Sequence, residues 1–385
     1  MRKAVDQPGP VTRVASGCTE EQQRDLQELM DMQPERFRVH FTPDYSLDPN
    51  TGKRFVYYNK PNGLAHFLEN ADPPVAEAVI VLIDPDMVLM SPLTPYVGNS
   101  NLMLWDDEIF ASGPDWVVEG QPVGQFYGLG RAWALWRDLP EITKDLGPGT
   151  PARNISMDQA SLAYPVGPPY FMHPRDWARL VNIWTSLSPK VFKGHPNILA
   201  EMYGFCIAAA HLGLPHRVAY GLMVSDTSGP KREGWPLVDP LEARACEPSA
   251  VDARRGSLPP IVHYCQSYRV GTYMFDKRDP SLHTFFSCTA DSLEMPPADY
   301  LSSPMGRLRV HSKQAKKRVE HVPPIKGVRE GYAMCMVLRA LNAAQVSYKS
   351  RYCRPEEVSG RVRRFTDLSP DQVARDLFKR GSPSV

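Results

Sequence analysis

The pattern of apolar and polar positions picks out a few elements along the chain. Residues 77–83, EAVIVLI, form a β-branched apolar run without polar alternation, which predicts a central strand buried on both faces. Thr19, with Gln22 three positions on, has capping-box spacing and predicts a helix over 20–30. Trp177, Leu180, Val181, Trp184 and Leu187 fall on one helical stripe within 174–187 and are read as core. A second helix is predicted over 196–212, with Pro196 in its first turn, Gly213 at its stop, and Ile198, Met202, Phe205, Cys206 and Ala209 along one side. Residues 44–54, with Pro49-Asn50 and Thr51-Gly52, have turn composition, and 261–265 read as another short strand. Past about residue 279 the pattern weakens. A basic stretch over 307–329 is followed by a predicted terminal helix at 331–348 and a polar tail.

Composition narrows the function classes. A chain of 385 residues with 42% hydrophobic content can bury a large α/β core, and 38 prolines suit a loop-rich domain with fixed turns. The 44 basic residues balance 43 acidic ones, so no global field recruits nucleic acid or anionic lipid. The basic stretch around Lys316-Lys317-Arg318 has no interleaved aromatics and is read as a solvated linker. The seven cysteines are scattered singly without zinc spacing; one or two disulfides fit, and an odd count leaves at least one thiol over. No apolar run reaches a membrane span, and the segment after Met1 lacks the apolar stretch of a signal peptide.

The candidate chemistry begins where the strand at 77–83 stops, at Asp84-Pro85-Asp86. Proline cannot donate to a ladder, so two carboxylates are presented at a strand's carboxyl end, where open α/β sheets bind ligands. Such carboxylates either cap a loop or hold Mg²⁺ or Mn²⁺ against a diphosphate. Glu201, three residues after Ile198 and four before Phe205, lies on or beside an apolar helix side and is either a buried ion-pair partner or a pocket carboxylate. His263, in Ile261-Val262-His263-Tyr264, is either packed or an imidazole ligand to the same ion. Lys277, within FDKR at 275–278, is a surface charge or a cation for a diphosphate. Asn59 and Lys60, before a short helix expected near Gly63, make a turn or face a phosphate or sugar.

In order and spacing, QPGPVTR (7–13), NKP (59–61), VLIDPDMVLMSPL (81–93), EMYGF (201–205), IVHY (261–264) and FDKR (275–278) resemble one plant and algal family. It comprises the peptidyl hydroxyproline O-arabinosyltransferases and the related peptidyl serine O-galactosyltransferases. The resemblance covers roughly residues 7–280 and implies an α/β fold of the Rossmann-like GT-A class with a mixed central sheet, in a domain over 1–285 followed by an extension over 286–385. It implies a UDP-sugar donor, Mn²⁺ or Mg²⁺, and a hydroxyproline- or serine-containing extracellular glycoprotein as acceptor, with a Golgi or secretory location.

By the resemblance Asp84 contacts the ribose or metal, Asp86 and His263 bind the metal, and Lys277 faces the diphosphate. Asn59 and Lys60 join the nucleotide-sugar site, and Glu201 lies near the acceptor hydroxyl or reacting carbon. Retention is expected, with the leaving phosphate as base. Family members carry a first strand and a membrane anchor upstream of the segment beginning at Gln7, so both are expected to be missing here. Residues 120–167 fit neither branch closely. Arabinosyl transfer to hydroxyproline is the first reading. Serine galactosylation, favoured by the compact spacing from His263 to Phe275, is the alternative, and an inactive peptide-binding homologue is a third.

Overall fold

The structure, a computed structural model, describes residues 5–31, 34–48, 52–75, 78–98, 100–104, 113–229, 232–303, 308–313, 316–321 and 323–363. The turn read at Pro49, Asn50 and Thr51, the strand start at Glu77 and the tail after residue 363 lie outside them.

Strands β1 (Val11–Ser16) and β2 (Phe37–Thr42) pair in parallel around helix α1 (Glu20–Asp31). The capping box at its start forms: Gln22 N–H donates to Thr19 Oγ1 at 3.3 Å, and Thr19 N–H to the Gln22 side chain at 2.9 Å. Helix α2 (Asn59–Asn70) begins four residues earlier than expected, because Pro61 falls in its first turn, where a missing N–H costs nothing. It rests on β1 at Gly63, where a Cβ would meet the Val14 side chain at 3.0 Å.

Strand β3 (Ile80–Leu82) corrects the sequence reading. It is three residues long, half-buried, and among the described residues pairs on one side only, antiparallel to β6 (Val166–Met172). It is the edge of a four-stranded sheet ordered β3, β6, β5 (Val123–Phe126), β7 (Arg217–Ala219). Within this sheet, among the described residues, the strand buried throughout is β6, VGPPYFM. Its Pro168 and Pro169 fall where the β5–β6 register shifts between Gly124 and Gln125, so their missing donors break no ladder bond. A second, three-stranded sheet is ordered β4 (Met87–Leu89), β9 (Ile261–His263), β8 (Met223–Val224). The described residues thus form a mixed α/β fold with several small mixed sheets in place of one central sheet.

Helix α3 (Pro174–Gly194) packs its predicted stripe into the first core, where Trp177, Leu180, Trp184 and Leu187 are fully buried. Helix α4 (Ala200–His211) differs from the amphipathic element expected. Every residue from Ala200 to Ala210 is buried, while Ile198 lies ahead of the helix and is exposed. Asn197 sets that start, accepting from Leu199 N–H on its side chain and from Ala200 N–H on its carbonyl.

Helix α5 (Pro324–Tyr352) is longer at both ends than the helix expected over 331–348. Residues Gly327 to Leu338 are buried in a second core with Trp235, Tyr268, Phe275 and Leu293. The stretch read as a linker contains a hairpin, Leu308–Lys313 paired antiparallel with Lys316–His321, so ladder bonds satisfy its backbone. Disulfides Cys246–Cys335 and Cys288–Cys353 tie α5 to the segment before it, leaving Cys18, Cys206 and Cys265 as free thiols.

Candidate metal and donor site

Asp84-Pro85-Asp86 is the turn by which the chain leaves one sheet and enters the other. β3 ends at Leu82, Met87 N–H donates to the Asp84 carbonyl at 3.1 Å, and the chain resumes as β4. In the β4–β9 ladder Met87 lies opposite His263, and Tyr264 N–H donates to the Asp86 carbonyl at 3.0 Å. Pairing between two short strands therefore brings His263 Nε2 to 3.2 Å from Asp86 Oδ1. Ligand atoms of Asp84, Asp86 and His263 all lie within 4.8 Å of one another. Two carboxylates and an imidazole at that separation fit a divalent cation such as Mn²⁺ or Mg²⁺.

Each aspartate already carries a lysine. Lys60, from the first turn of α2, is 2.8 Å from Asp84 Oδ1 and 2.6 Å from Glu201 Oε1. Burial opposes its charge, but Asp84 and Glu201 outweigh burial and hold its pKa above the ordinary value. Lys277 follows the β10 (Tyr268–Val270) and β11 (Tyr273–Phe275) hairpin, where buried Phe275 anchors the FDKR segment, and pairs with Asp86. Burial would raise the Asp86 carboxyl, yet His263 and Lys277 together pull it well below the usual carboxylate range. Glu201 goes the other way: desolvation lifts its pKa despite Lys60.

The structure thus collects Asp84, Asp86, His263, Lys60, Lys277 and Glu201 in one place. Asn59 has its side chain elsewhere, accepting from Tyr45 N–H at 2.7 Å and donating to Asp44 at 3.3 Å, so its polar atoms secure a loop. Within FDKR, Asp276 accepts from Ser267 and from Arg278 N–H, which fixes the turn presenting Lys277. Sequence reasoning missed Tyr127, whose hydroxyl lies 3.4 Å from His263 Nδ1 and leaves Nε2 for the aspartate side. A tyrosine just after a short strand carries no pattern of its own.

No family model matches the chain, and no solved structure matches it. Among curated proteins, the peptidyl serine alpha-galactosyltransferase of Arabidopsis thaliana is 27% identical over 280 residues, 71% of this chain and 28% of its own length. The protein of the same description from Chlamydomonas reinhardtii is 26% identical over 299 residues, 71% of this chain and 32% of its own. The chain is a distant homologue of these peptidyl serine alpha-galactosyltransferases. It matches less than a third of each galactosyltransferase's length. Among the described residues, no helix is long and apolar enough to cross a membrane.

Proposed function

We propose that this chain is a metal-dependent glycosyltransferase unit of GT-A type, transferring galactose from UDP-galactose to a serine hydroxyl of a secreted protein. The observation that carries the reading is the convergence of Asp84, Asp86 and His263 with two lysines beside them. Serine galactosylation replaces hydroxyproline arabinosylation as first choice, because both relatives carry that description. Their alpha designation, set against the alpha linkage of UDP-galactose, supports retention. The transferase unit is placed at 1–285, with 286–385 an extension whose helix α5 helps close the second core. Two disulfides support an oxidising, secretory compartment.

A bound Mn²⁺ would neutralise charge on the departing diphosphate. Asp84, Asp86 and His263 would hold it, with Tyr127 orienting the His263 ring. Lys277, paired with Asp86, would extend the same ammonium to diphosphate oxygens. Lys60 holds Asp84 and Glu201 in fixed relation. In the transfer, the bond from the sugar's anomeric carbon to the phosphate oxygen breaks and a bond to the serine oxygen forms on the same face. The serine proton passes to the released diphosphate, so no side-chain base is required.

Thermal unfolding with UDP, Mn²⁺ and both together tests the donor site. Joint addition should raise the midpoint, since a ligand at about 100 times its Kd stabilises the native state by about 2.7 kcal/mol. Asp86→Asn removes charge at constant volume and should abolish the increment while the variant still unfolds cooperatively, with transfer to a serine peptide lost in parallel. A folded wild-type chain that UDP and Mn²⁺ leave unshifted would point instead to a binding homologue without transferase activity.

A further inference from the structure

Two buried polar atoms beside this site have no hydrogen-bond partner among the described residues. Glu201 turns Oε1 to Lys60, but its Oε2 is buried and unbonded. The Tyr170 hydroxyl, from β6, is likewise buried and unbonded. Leaving such a group unsatisfied is costly, and folded proteins seldom do so without a water or ligand to complete it.

The residues that carry them share one aromatic cluster. The Tyr170 ring stacks on Phe205, with centroids 3.9 Å apart, and Phe205 lies one helical turn beyond Glu201 on the same face of α4. Trp184 meets Tyr170 edge-on at 6.5 Å and donates its indole N–H to the Glu201 carbonyl at 2.7 Å. Burial raises the Tyr170 pKa well above its ordinary value, and Glu201 is the foremost charge adding to that rise, so the phenol stays protonated as a donor. In register, Tyr170 lies opposite Leu82, two residues before Asp84. Glu201 is 1% exposed, whereas Lys60, which bridges it to Asp84, and Asp84 itself are each 16% exposed.

We propose that Glu201 Oε2 and the Tyr170 hydroxyl form a subsite for one hydroxyl of the donor's sugar, entered past Lys60 and Asp84. The carboxylate accepts the sugar O–H and the phenol donates to its oxygen, so the sugar supplies both missing bonds. Aromatic walls from Trp184 and Phe205 keep the pair dry, which strengthens both bonds. Tyr170 is thereby a specificity-determining residue for the sugar, acting at the donor site proposed above, on which this inference rests.

Titration calorimetry on the full chain with Mn²⁺, using UDP and UDP-galactose as separate probes, tests it. Tyr170→Phe removes the hydroxyl alone. The expected result is unchanged UDP affinity, a roughly tenfold loss of UDP-galactose affinity, the size of one hydrogen bond, and a ligand-free melting midpoint no lower than wild type. Glu201→Gln should show the same selective loss if it folds, and it carries the test should Tyr170→Phe fold poorly. UDP-galactose affinity unchanged in both variants, with a lowered ligand-free midpoint, would overturn the subsite and assign the pair to a structural water. Failure of the wild type to bind UDP would instead overturn the donor-site reading, and the subsite with it.

Discussion

At the scale of single residues, burial decides which groups in this chain keep their charge. Asp86 stays ionised because a lysine and a histidine face it, whereas Glu201 is pushed toward its neutral form by the apolar surroundings of α4. His216 shows the limit of this effect. It is fully buried against the edge of Phe205, and neither ring nitrogen makes a well-formed hydrogen bond. Burial therefore lowers its pKa from 6.5 to about 3. Between those values the unfolded chain binds the additional proton, so this contribution is complete above pH 6.5 and is lost as the pH falls toward 3. The slope is at most about 1.4 kcal/mol per pH unit. His216→Leu should flatten the decline in stability between about pH 6.5 and 4.5, read from urea denaturation at a series of pH values. An unchanged slope would show that other groups dominate the acid limb.

At the scale of elements, the site depends on short strands that take their geometry from their neighbours. β4 and β9 are three residues each, yet their register sets Met87 opposite His263 and so decides which imidazole meets Asp86. The orientation of that imidazole is tied in turn to β6, because the Tyr127 ring lies on Gly167. A Cβ at Gly167 would come within 2.6 Å of the ring's Cγ and Cδ2 atoms. Gly167→Ala should therefore shift Tyr127, cost about 1–3 kcal/mol of stability through overpacking, and lower Mn²⁺ affinity by roughly tenfold through the lost outer-shell contact. Calorimetric Mn²⁺ titration in the presence of UDP reads the second effect. Tyr127→Phe, which keeps the ring, should lower affinity with a smaller loss of stability.

At the scale of the whole molecule, α5 joins distant parts of the chain. Its polar side chains bind the preceding segment: Gln345 donates to the Phe285 carbonyl at 2.7 Å, and Asn342 exchanges two bonds with the Leu293 backbone. Disulfide Cys246–Cys335 ties the same helix to a cysteine 89 positions earlier in the chain. Replacing both cysteines by serine should cost about 4–5 kcal/mol on the chain-entropy view, measured as a fall in the denaturation midpoint under oxidising conditions. Equal midpoints for the variant and the oxidised wild type would show that packing of α5 alone suffices. The elements that local pattern specifies were legible from the sequence by itself: the capped helix after Thr19, the tryptophan stripe of α3, and the existence, though not the length or burial, of a strand ahead of Asp84-Pro85-Asp86. These follow from side-chain periodicity and backbone chemistry over a few neighbouring residues. The edge position of β3, the all-round burial of α4, the disulfide pairing, the linking of Lys60 to both Asp84 and Glu201, and the placing of Tyr127 and Tyr170 were decided only by tertiary structure. Each depends on contacts between residues far apart in the chain, and burial and electrostatic environment exist only once those residues have met.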